Sequence, residues 1–388
     1  MKILALRERF DHMGSHSGYD ELFVHLEKKR SVETVWKVGS LSTSSVFKTV
    51  PKWLFSTKGY NLLPSPLTHL AHSIFGKRFE SASLIRIMKA IKDIKSSFYT
   101  PSSLHAELQF IKELKVREFN VAHLAYLENQ FGLLGARDIQ KKLSDVYLVG
   151  TVHQTFEWWR ENGNVNALGI LDGLIVLAEH EKEKWEKIMP GRVHFIPHGV
   201  DVNFFTPSNQ SNSKFSCVFT GFWNRDFNTL KKVIDQVLER EKDVMFDLVI
   251  PENRLEDLEE FIRHIRKLKN VHFHVGIDDE TLKNIYQAGS VLVLPLIQCT
   301  ANNAVLEGLS CGLPVISTQL PNIKTYLNED VAILTKPNSP AEIVEAIVSF
   351  KNEPDSLKVY SKAARARAIQ KYDWKMITDQ QLSMYDEF

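Results

Sequence analysis

Three polar residues in the second half of the chain have types and spacing that suit the binding of a nucleoside diphosphate. Thr300, Asn303 and Glu307 stand at i, i+3 and i+7, so they share one face of a helix. The apolar run Val291–Leu294 precedes them and is typical of a buried strand in a parallel sheet. A helix that begins at the carboxyl end of such a strand points free N–H groups and its positive dipole end at an anion. We therefore expect phosphate at Thr300 and at the N–H groups of Asn302 and Asn303.

Glu307 stands where the ribose of the same nucleotide would reach it. It lies about 10 Å along the helix axis from Thr300, at about 1.5 Å per residue, which is about the span from a diphosphate to its ribose. A carboxylate there accepts hydrogen bonds from both ribose hydroxyls. An ordinary surface glutamate beside a turn is the alternative. The helix is predicted over residues 301–310, with Thr300 as its N-cap and Gly312 just after its end.

A second candidate phosphate contact follows another predicted strand, at residues 215–219. Gly221 comes at the end of this strand, and Arg225 stands just before a predicted helix over residues 228–240. An arginine at such a place grips two phosphate oxygens at once. Arg225 is thus the expected diphosphate ligand, with Lys231 as the second. The alternative is an ordinary surface arginine.

Two histidines stand near the ends of predicted strands in the first half of the chain. His123 lies in the run that begins at residue 119, and His153 follows a strand at residues 146–152. Because parallel strands deliver their carboxyl ends to one edge of a sheet, both rings would reach one crevice. A structural role for each ring is the alternative.

The chain opens with the elements of a Rossmann-like domain. A strand at residues 2–6 leads into a loop with Gly14 and Gly18 and then into a helix at residues 19–29. The fingerprint Gly-x-Gly-x-x-Gly is absent from this loop, which disfavours a dinucleotide site and a dehydrogenase.

The stretch around Glu307 resembles the donor-binding motif of retaining glycosyltransferases of family 4, which have the GT-B fold. Glu307 and the Cys-Gly-Leu-Pro-Val run at residues 311–315 match that motif. Cys299 stands where the motif has its first glutamate, which touches the donor sugar. The resemblance implies an α/β protein of two Rossmann-like domains that face each other across a deep cleft. The implied parts are an acceptor domain at 1–204, a nucleotide-sugar donor domain at 205–370 and a closing helix at 371–388 that packs back on the first domain.

Further segments carry the same resemblance. The catalytic candidates it implies are His123 and Glu128, in a His-x-x-Tyr-x-Glu segment, and His153, in a Thr-x-His-Gln segment. Backbone at Gly276 and Ile277 would contact the base. The implied cleft loops hold Gly14, Gly18, His198 and Gly199, with Gly199 supplying backbone freedom where the chain crosses between domains.

The resemblance implies a hexosyl transfer from a nucleotide-sugar, with retention of anomeric configuration. A UDP- or GDP-sugar is expected rather than an ADP-sugar, and the acceptor is a glycan, a lipid-linked sugar or a small molecule. No metal or other cofactor is expected, since Arg225 and the helix terminus would stabilise the departing diphosphate. Two alternatives stay open: a non-catalytic nucleotide-sugar-binding protein or partner subunit, motivated by Cys299, and a nucleotide-sugar epimerase of the same fold.

Composition and charge limit the partners and the location that the protein is expected to have. The 388 residues carry a formal net charge of +1, which disfavours a nucleic-acid partner. Three cysteines without metal-ligand spacing, and the absence of an apolar run of about 20 residues, predict a cytoplasmic protein. Residues 83–94 form a basic amphipathic pattern that predicts peripheral contact with the inner membrane face. The alternative for this segment is a surface helix that faces the core.

Overall fold

A computed structural model describes residues 1–8, 16–37, 101–132, 134, 146–208 and 214–388. The predicted basic helix at residues 83–94 and Gly14 lie outside the described residues. The chain divides into two compact units. Unit 1 comprises Met1–Asp11, Leu22–Ile196 and Gln380–Phe388, and unit 2 comprises His12–Glu21 and Pro197–Asp379. The domain boundaries predicted at residues 204 and 370 stay predictions.

Unit 1 is built on a parallel sheet with the strand order β2-β1-β3-β4-β5-β6. Its strands are β1 (Lys2–Glu8), β2 (Ser31–Lys37), β3 (Val121–Leu124), β4 (Tyr147–Val152), β5 (Gly173–Val176) and β6 (Val193–Phe195). The interior strands β3 and β5 are buried along their whole length, as expected for a sheet covered on both faces.

Unit 2 is built on a second parallel sheet with the order β12-β11-β10-β7-β8-β9. Its strands are β7 (Ser216–Thr220), β8 (Met245–Ile250), β9 (Val271–Val275), β10 (Val291–Leu294), β11 (Val315–Thr318) and β12 (Ala332–Thr335). Every residue of β10 and β11 is buried, and these strands form the centre of the unit's apolar core.

Helices lie along the chain between successive strands, as the crossover connections of a parallel sheet require. They are α1 (Glu21–Glu27), α2 (Pro101–Val116), α3 (Leu127–Gln130), α4 (Phe156–Asn162), α5 (Glu179–Glu186), α6 (Phe227–Arg240), α7 (Glu259–Ile265), α8 (Asp279–Ala288), α9 (Asn303–Ser310), α10 (Pro340–Asn352), α11 (Pro354–Lys371) and α12 (Trp374–Tyr385). Gly308 lets α9 lie close on its sheet. An added Cβ at this position would be only 2.7 Å from Leu292 Cδ2.

Both units are Rossmann-like, as the sequence predicts. The direction of strand order reverses between β1 and β3 in unit 1 and between β7 and β10 in unit 2. In open parallel sheets, ligands bind outside the carboxyl ends of the strands at such a switch point. Within the described ranges, no helix has both the length and the apolarity to cross a bilayer.

Candidate functional site

Two loops meet at the switch point of unit 2. Residues 221–226 follow β7, and residues 295–302 follow β10; we call these two segments the switch-point loops. Arg225 and Leu296 form an antiparallel bridge, and the Ile297 N–H donates to the Asn224 carbonyl at 2.9 Å. The two predicted phosphate contacts, one on each loop, therefore belong to one surface.

The first switch-point loop is shaped by two residues in the left-handed region. Gly221 has φ +95° and Asn224 has φ +57°, a conformation that glycine and asparagine adopt most readily. An added Cβ at Gly221 would lie 2.8 Å from Arg225 Nη2, so glycine also gives the guanidinium its space. Asp226 then caps α6 by accepting a hydrogen bond from the Thr229 N–H at 2.9 Å.

The Arg225 side chain is anchored on three sides. Nε donates to the Thr220 carbonyl at 3.0 Å, Nη1 to the Trp223 carbonyl at 3.0 Å, and Nη2 to Asn302 Oδ1 at 3.2 Å. Each terminal nitrogen keeps one N–H with no partner among the described residues. Burial lowers the pKa of the Arg225 guanidinium, but an arginine stays protonated in proteins. The result is a fixed cation with two N–H groups free for an anion such as phosphate.

The helix that carries Glu307 begins two residues later than predicted. Its N-cap is Asn302, whose extended backbone and side-chain oxygen, which accepts from the Val305 N–H, replace the predicted cap Thr300. Asparagine caps at least as well as threonine, so the sequence offers two candidates and only the fold selects one. Asn302 Oδ1 thus joins the Arg225 guanidinium to the start of α9. The N–H of Asn303 is one of the first N–H groups of that helix, which have no partner within the helix itself.

Cys299 and Thr300 are buried just before this helix. Burial raises the pKa of the Cys299 thiol to about 12, although the nearby Arg225 lowers it. The group is therefore a neutral thiol at physiological pH and cannot supply the charge of a glutamate at this position. The Cys299 carbonyl accepts from Asn322 Nδ2 at 3.0 Å, which holds the segment in place.

Glu307 is buried, with only 6 % of the residue accessible to solvent. This burial removes the alternative of an ordinary surface glutamate. Its Oε2 accepts from the Tyr286 hydroxyl at 2.7 Å, and its Oε1 accepts from the Ser17 hydroxyl. The Tyr286 hydroxyl also contacts Thr220 Oγ1 at 3.0 Å. Burial raises the pKa of the Glu307 carboxyl, while the bonds from Ser17 and Tyr286 lower it.

The remaining predicted donor contacts lie on neighbouring elements of unit 2. Gly276 follows β9 with φ +62° and is exposed, and Ile277 after it is half-buried. Lys231 is half-buried in the second turn of α6. Roles in base and phosphate binding for these three residues stay predictions.

The described part of the loop that contains Gly18, from residue 16 onward, packs within unit 2. His16 stacks on Phe204 with ring centroids 3.6 Å apart, and its Nδ1 lies 3.0 Å from Asp201 Oδ2. The Asp201 N–H donates to the His16 carbonyl at 2.9 Å. Ser17, next to Gly18, therefore reaches Glu307 from a loop that is held by residues of the 197–205 segment.

His198 and Gly199 pack against the aromatic residues of unit 2. The His198 ring is 3 % exposed, its Nδ1 lies 2.8 Å from the Gly199 carbonyl oxygen, and burial lowers its pKa to about 4. Gly199 does not have the positive φ that the predicted backbone freedom would involve. Instead, an added Cβ would lie 2.4 Å from Trp374 Cε3, so close packing explains this glycine.

Gly199→Ala is expected to destabilise the protein by about 1–3 kcal/mol, because the new methyl group overlaps a fully buried indole. Gly169→Ala is the matched control, since an added Cβ there meets nothing within 4 Å. Thermal unfolding of both variants checks the prediction. Equal melting temperatures would contradict the packing explanation.

In unit 1, His123 is enclosed instead of opening into a crevice. It is fully buried, with Nδ1 2.5 Å from the Tyr385 hydroxyl and Nε2 2.8 Å from Thr151 Oγ1. Burial lowers its pKa to about 3, so the ring is neutral. These contacts favour the structural alternative, in which His123 fixes the ends of β3 and β4.

His153 and Glu128 form the second predicted pair, and these two are in contact. Glu128 Oε1 accepts from the N–H groups of His153 and Gln154, at 2.6 and 2.7 Å, and from Trp159 Nε1 at 3.1 Å. The half-buried His153 ring stacks on Tyr126 at 4.2 Å, and its Nε2 lies 2.9 Å from the Ala125 carbonyl oxygen. Glu128 thus holds the backbone from which the His153 side chain projects.

Glu128 is expected to make stability depend on pH, because burial raises the pKa of its carboxyl from 4.5 to about 7. The folded chain then binds this proton more tightly than the unfolded chain does. The contribution to stability is complete below about pH 4.5 and is lost as the pH rises through about 7. Relative to Glu128→Gln, the free energy of unfolding of the wild type should fall by about 3 kcal/mol between about pH 4.5 and about pH 8. Urea titrations at both pH values measure this difference; a constant difference would be inconsistent with it.

Sequence reasoning missed Ser17, Tyr286 and Thr220, the hydroxyl groups around Glu307. Ser17 lies 290 residues from Glu307, and Tyr286 reaches it from α8. A single serine in a loop or tyrosine in an amphipathic helix gives no local signal of such a contact.

Comparison with known proteins finds a family that matches the segment holding the switch-point loops. Residues 214–352 match the family Glycosyl transferases group 1. The segment contains Arg225, Asn302 and Glu307. The assignment to family 4 and the replacement of the motif's first glutamate by Cys299 stay predictions.

Similar curated proteins share parts of their length with the chain. A D-inositol 3-phosphate glycosyltransferase of Saccharomonospora viridis is 28% identical over 133 residues, 31% of each chain. The phosphatidylinositol N-acetylglucosaminyltransferase GPI3 subunit of Saccharomyces cerevisiae is 21% identical over 228 residues, 55% of this chain and 50% of that protein. The chain thus spans a third to a half of the length of these relatives.

Solved structures share the fold over the whole chain. Sucrose-phosphate synthase from Thermosynechococcus elongatus superposes with a TM-score of 0.65 at 15% identity, covering 100% of this chain and 99% of that one. Anabaena HepE in complex with UDP-glucose gives 0.67 at 14% identity, with both chains covered completely. The fold is therefore that of the GT-B glycosyltransferases, as predicted.

Proposed function

We propose that the protein is a nucleotide-sugar-dependent glycosyltransferase. One observation carries the proposal: Asn302 Oδ1 joins the fixed Arg225 guanidinium to the start of α9, and that helix carries the buried Glu307. A cation, unbonded helix N–H groups and a carboxylate are thus combined at the switch point of a segment that matches Glycosyl transferases group 1.

The roles follow from the chemistry of each group. Arg225 and the Asn303 N–H bind the diphosphate, with Lys231 as a further cation, and they stabilise the charge that develops as the diphosphate departs. Glu307 binds the ribose, while backbone at Gly276 and Ile277 contacts the base. We assign Cys299 and Thr300 to the part of the site that faces the donor sugar. No metal ion is needed in this scheme, so we expect turnover to persist in EDTA.

The first unit supplies the acceptor side. His153, oriented by Glu128, is the residue we assign to the reacting sugar, and His123 supports the strand ends beneath it. A UDP-sugar is the favoured donor because HepE, of the same fold, is described in complex with UDP-glucose. The acceptor is a glycan, a lipid-linked sugar or a small molecule, and the anomeric configuration is retained.

A nucleotide screen tests this proposal. UDP, GDP, ADP and their sugars are added to the full chain, and thermal unfolding is followed, since a ligand that binds only the folded form raises the melting temperature. One base should stand out, and the corresponding nucleotide-sugar should then be turned over with an acceptor panel. Failure of every nucleotide to shift the transition would overturn the proposal.

A non-catalytic nucleotide-sugar-binding protein is the second candidate. It is favoured by the neutral Cys299 thiol at a position where the motif has a glutamate. Donor hydrolysis separates the two: Cys299→Glu should raise turnover of a weakened enzyme. Nucleotide binding without turnover in both forms would support the binding protein.

A further inference from the structure

The predicted ribose contact is already occupied by a residue of the chain itself. Ser17 is 1 % exposed and donates its hydroxyl hydrogen to Glu307 Oε1, while Tyr286 donates to Oε2. A ribose hydroxyl that donates a hydrogen bond to Glu307 must use one of the same two carboxylate oxygens. In a group that is 94 % buried, few directions of approach remain.

The Tyr286 contact is the less replaceable of the two. Its hydroxyl is shared with Thr220 Oγ1 at 3.0 Å, and its ring is fully buried in the core of unit 2, 6.1 Å from the ring of Phe205. Moving it would require repacking of that core. The Ser17 hydroxyl, in contrast, changes position by rotation about one side-chain torsion between staggered rotamers.

His16, next to Ser17, is held by residues of unit 2, which keeps the Ser17 hydroxyl close to Glu307. His16 stacks on Phe204 and pairs with Asp201, and the Asp201 N–H donates to the His16 carbonyl. Lys283 Nζ lies 4.7 Å from the centroid of the same Phe204 ring, which adds a cation–π contact.

We propose that Ser17 is an internal competitor for the ribose and thereby sets the affinity for the donor. The Ser17 hydroxyl satisfies Glu307 in the free protein, and a ribose hydroxyl replaces it when the nucleotide binds. This inference rests on the proposed function, because it takes the ribose of a nucleoside diphosphate as the incoming ligand. Net affinity is then the difference between the ribose bond and the Ser17 bond.

Calorimetric titration with UDP, or with whichever nucleoside diphosphate the screen selects, tests the sign of the effect. Removing the competitor in Ser17→Ala should tighten binding about five- to tenfold, the net worth of one typical hydrogen bond. Ser310→Ala is the matched control: it removes a buried hydroxyl that donates to the Phe205 carbonyl at 2.7 Å, and its affinity should stay at the wild-type value.

A double-mutant cycle makes the test specific to this pair. In a Glu307→Ala background the Ser17→Ala change should leave the affinity unaltered, since the contested acceptor is gone. Unchanged or weaker binding by Ser17→Ala alone, with the wild type binding normally, would overturn the inference and leave the proposed function intact. Absence of nucleotide binding by the wild type would overturn both.

Discussion

Arg225→Ala is expected to lower kcat by about 10²–10³, the range found when a fixed donor to a developing negative charge is removed. The guanidinium is held by Thr220, Trp223 and Asn302, so it meets the diphosphate without reorganisation. Its loss also removes hydrogen bonds of the first switch-point loop, and stability should fall by about 1–2 kcal/mol. Steady-state kinetics and thermal unfolding of the same preparation measure both effects.

Arg225→Lys is the matched variant because it keeps the charge and loses the fork of N–H groups. A lysine cannot donate to Thr220, Trp223 and Asn302 at once and still present two N–H groups to phosphate. Its kcat should therefore fall between those of the wild type and Arg225→Ala. If Arg225→Ala lost turnover and stability to the same extent in free energy, the arginine would be a structural residue only.

Glu307→Ala is expected to weaken binding of the nucleoside diphosphate by up to about 3 kcal/mol, the worth of the charge-assisted hydrogen bonds to the ribose less that of the Ser17 bond they replace. Calorimetry with UDP and with inorganic pyrophosphate, which lacks the ribose and the base, separates the contribution of the diphosphate from that of the nucleoside. Affinity for pyrophosphate should stay unchanged, since the diphosphate contacts lie on Arg225 and the start of α9.

Glu307→Gln is the companion variant. It keeps one oxygen acceptor in a side chain of the same shape, so it should lose less affinity than alanine and preserve the packing around Tyr286. Affinity for UDP that equals the wild-type value in both variants would rule out the ribose assignment. A loss shared by pyrophosphate would instead indicate that the helix start has moved.

The α/β elements of each unit were predictable from the alternation of apolar strands and helices, whereas the two-domain GT-B fold was implied by the family resemblance around Glu307. Runs such as Val291–Leu294 are buried along their full length and need no distant partner to be recognised. The glycine after β7 and the end of α9 at Gly312, with φ +79°, were also readable, because only glycine adopts such backbone without strain.

The details of the site depend on contacts between residues distant in sequence. The position of Glu307 in a helix was predictable, but its partner Ser17 lies 290 residues away. His123 appeared open at a strand end, yet Tyr385, 262 residues later, closes over it. The shift of the cap from Thr300 to Asn302 has the same origin, since Arg225 and Val305 both require the Asn302 oxygen.

Unit 1 takes residues from both extremes of the described chain, and this has a consequence for synthesis on the ribosome. Tyr385 bonds to His123, and an added Cβ at Gly173 would meet Met384 Cε at 2.5 Å, so the 380–388 segment completes that unit's packing. Translation must therefore proceed through residue 385 before His123 on β3 and Gly173 on β5 can reach their final environment. Until then a nascent chain exposes apolar surface at β3 and β5, where a chaperone would be expected to bind.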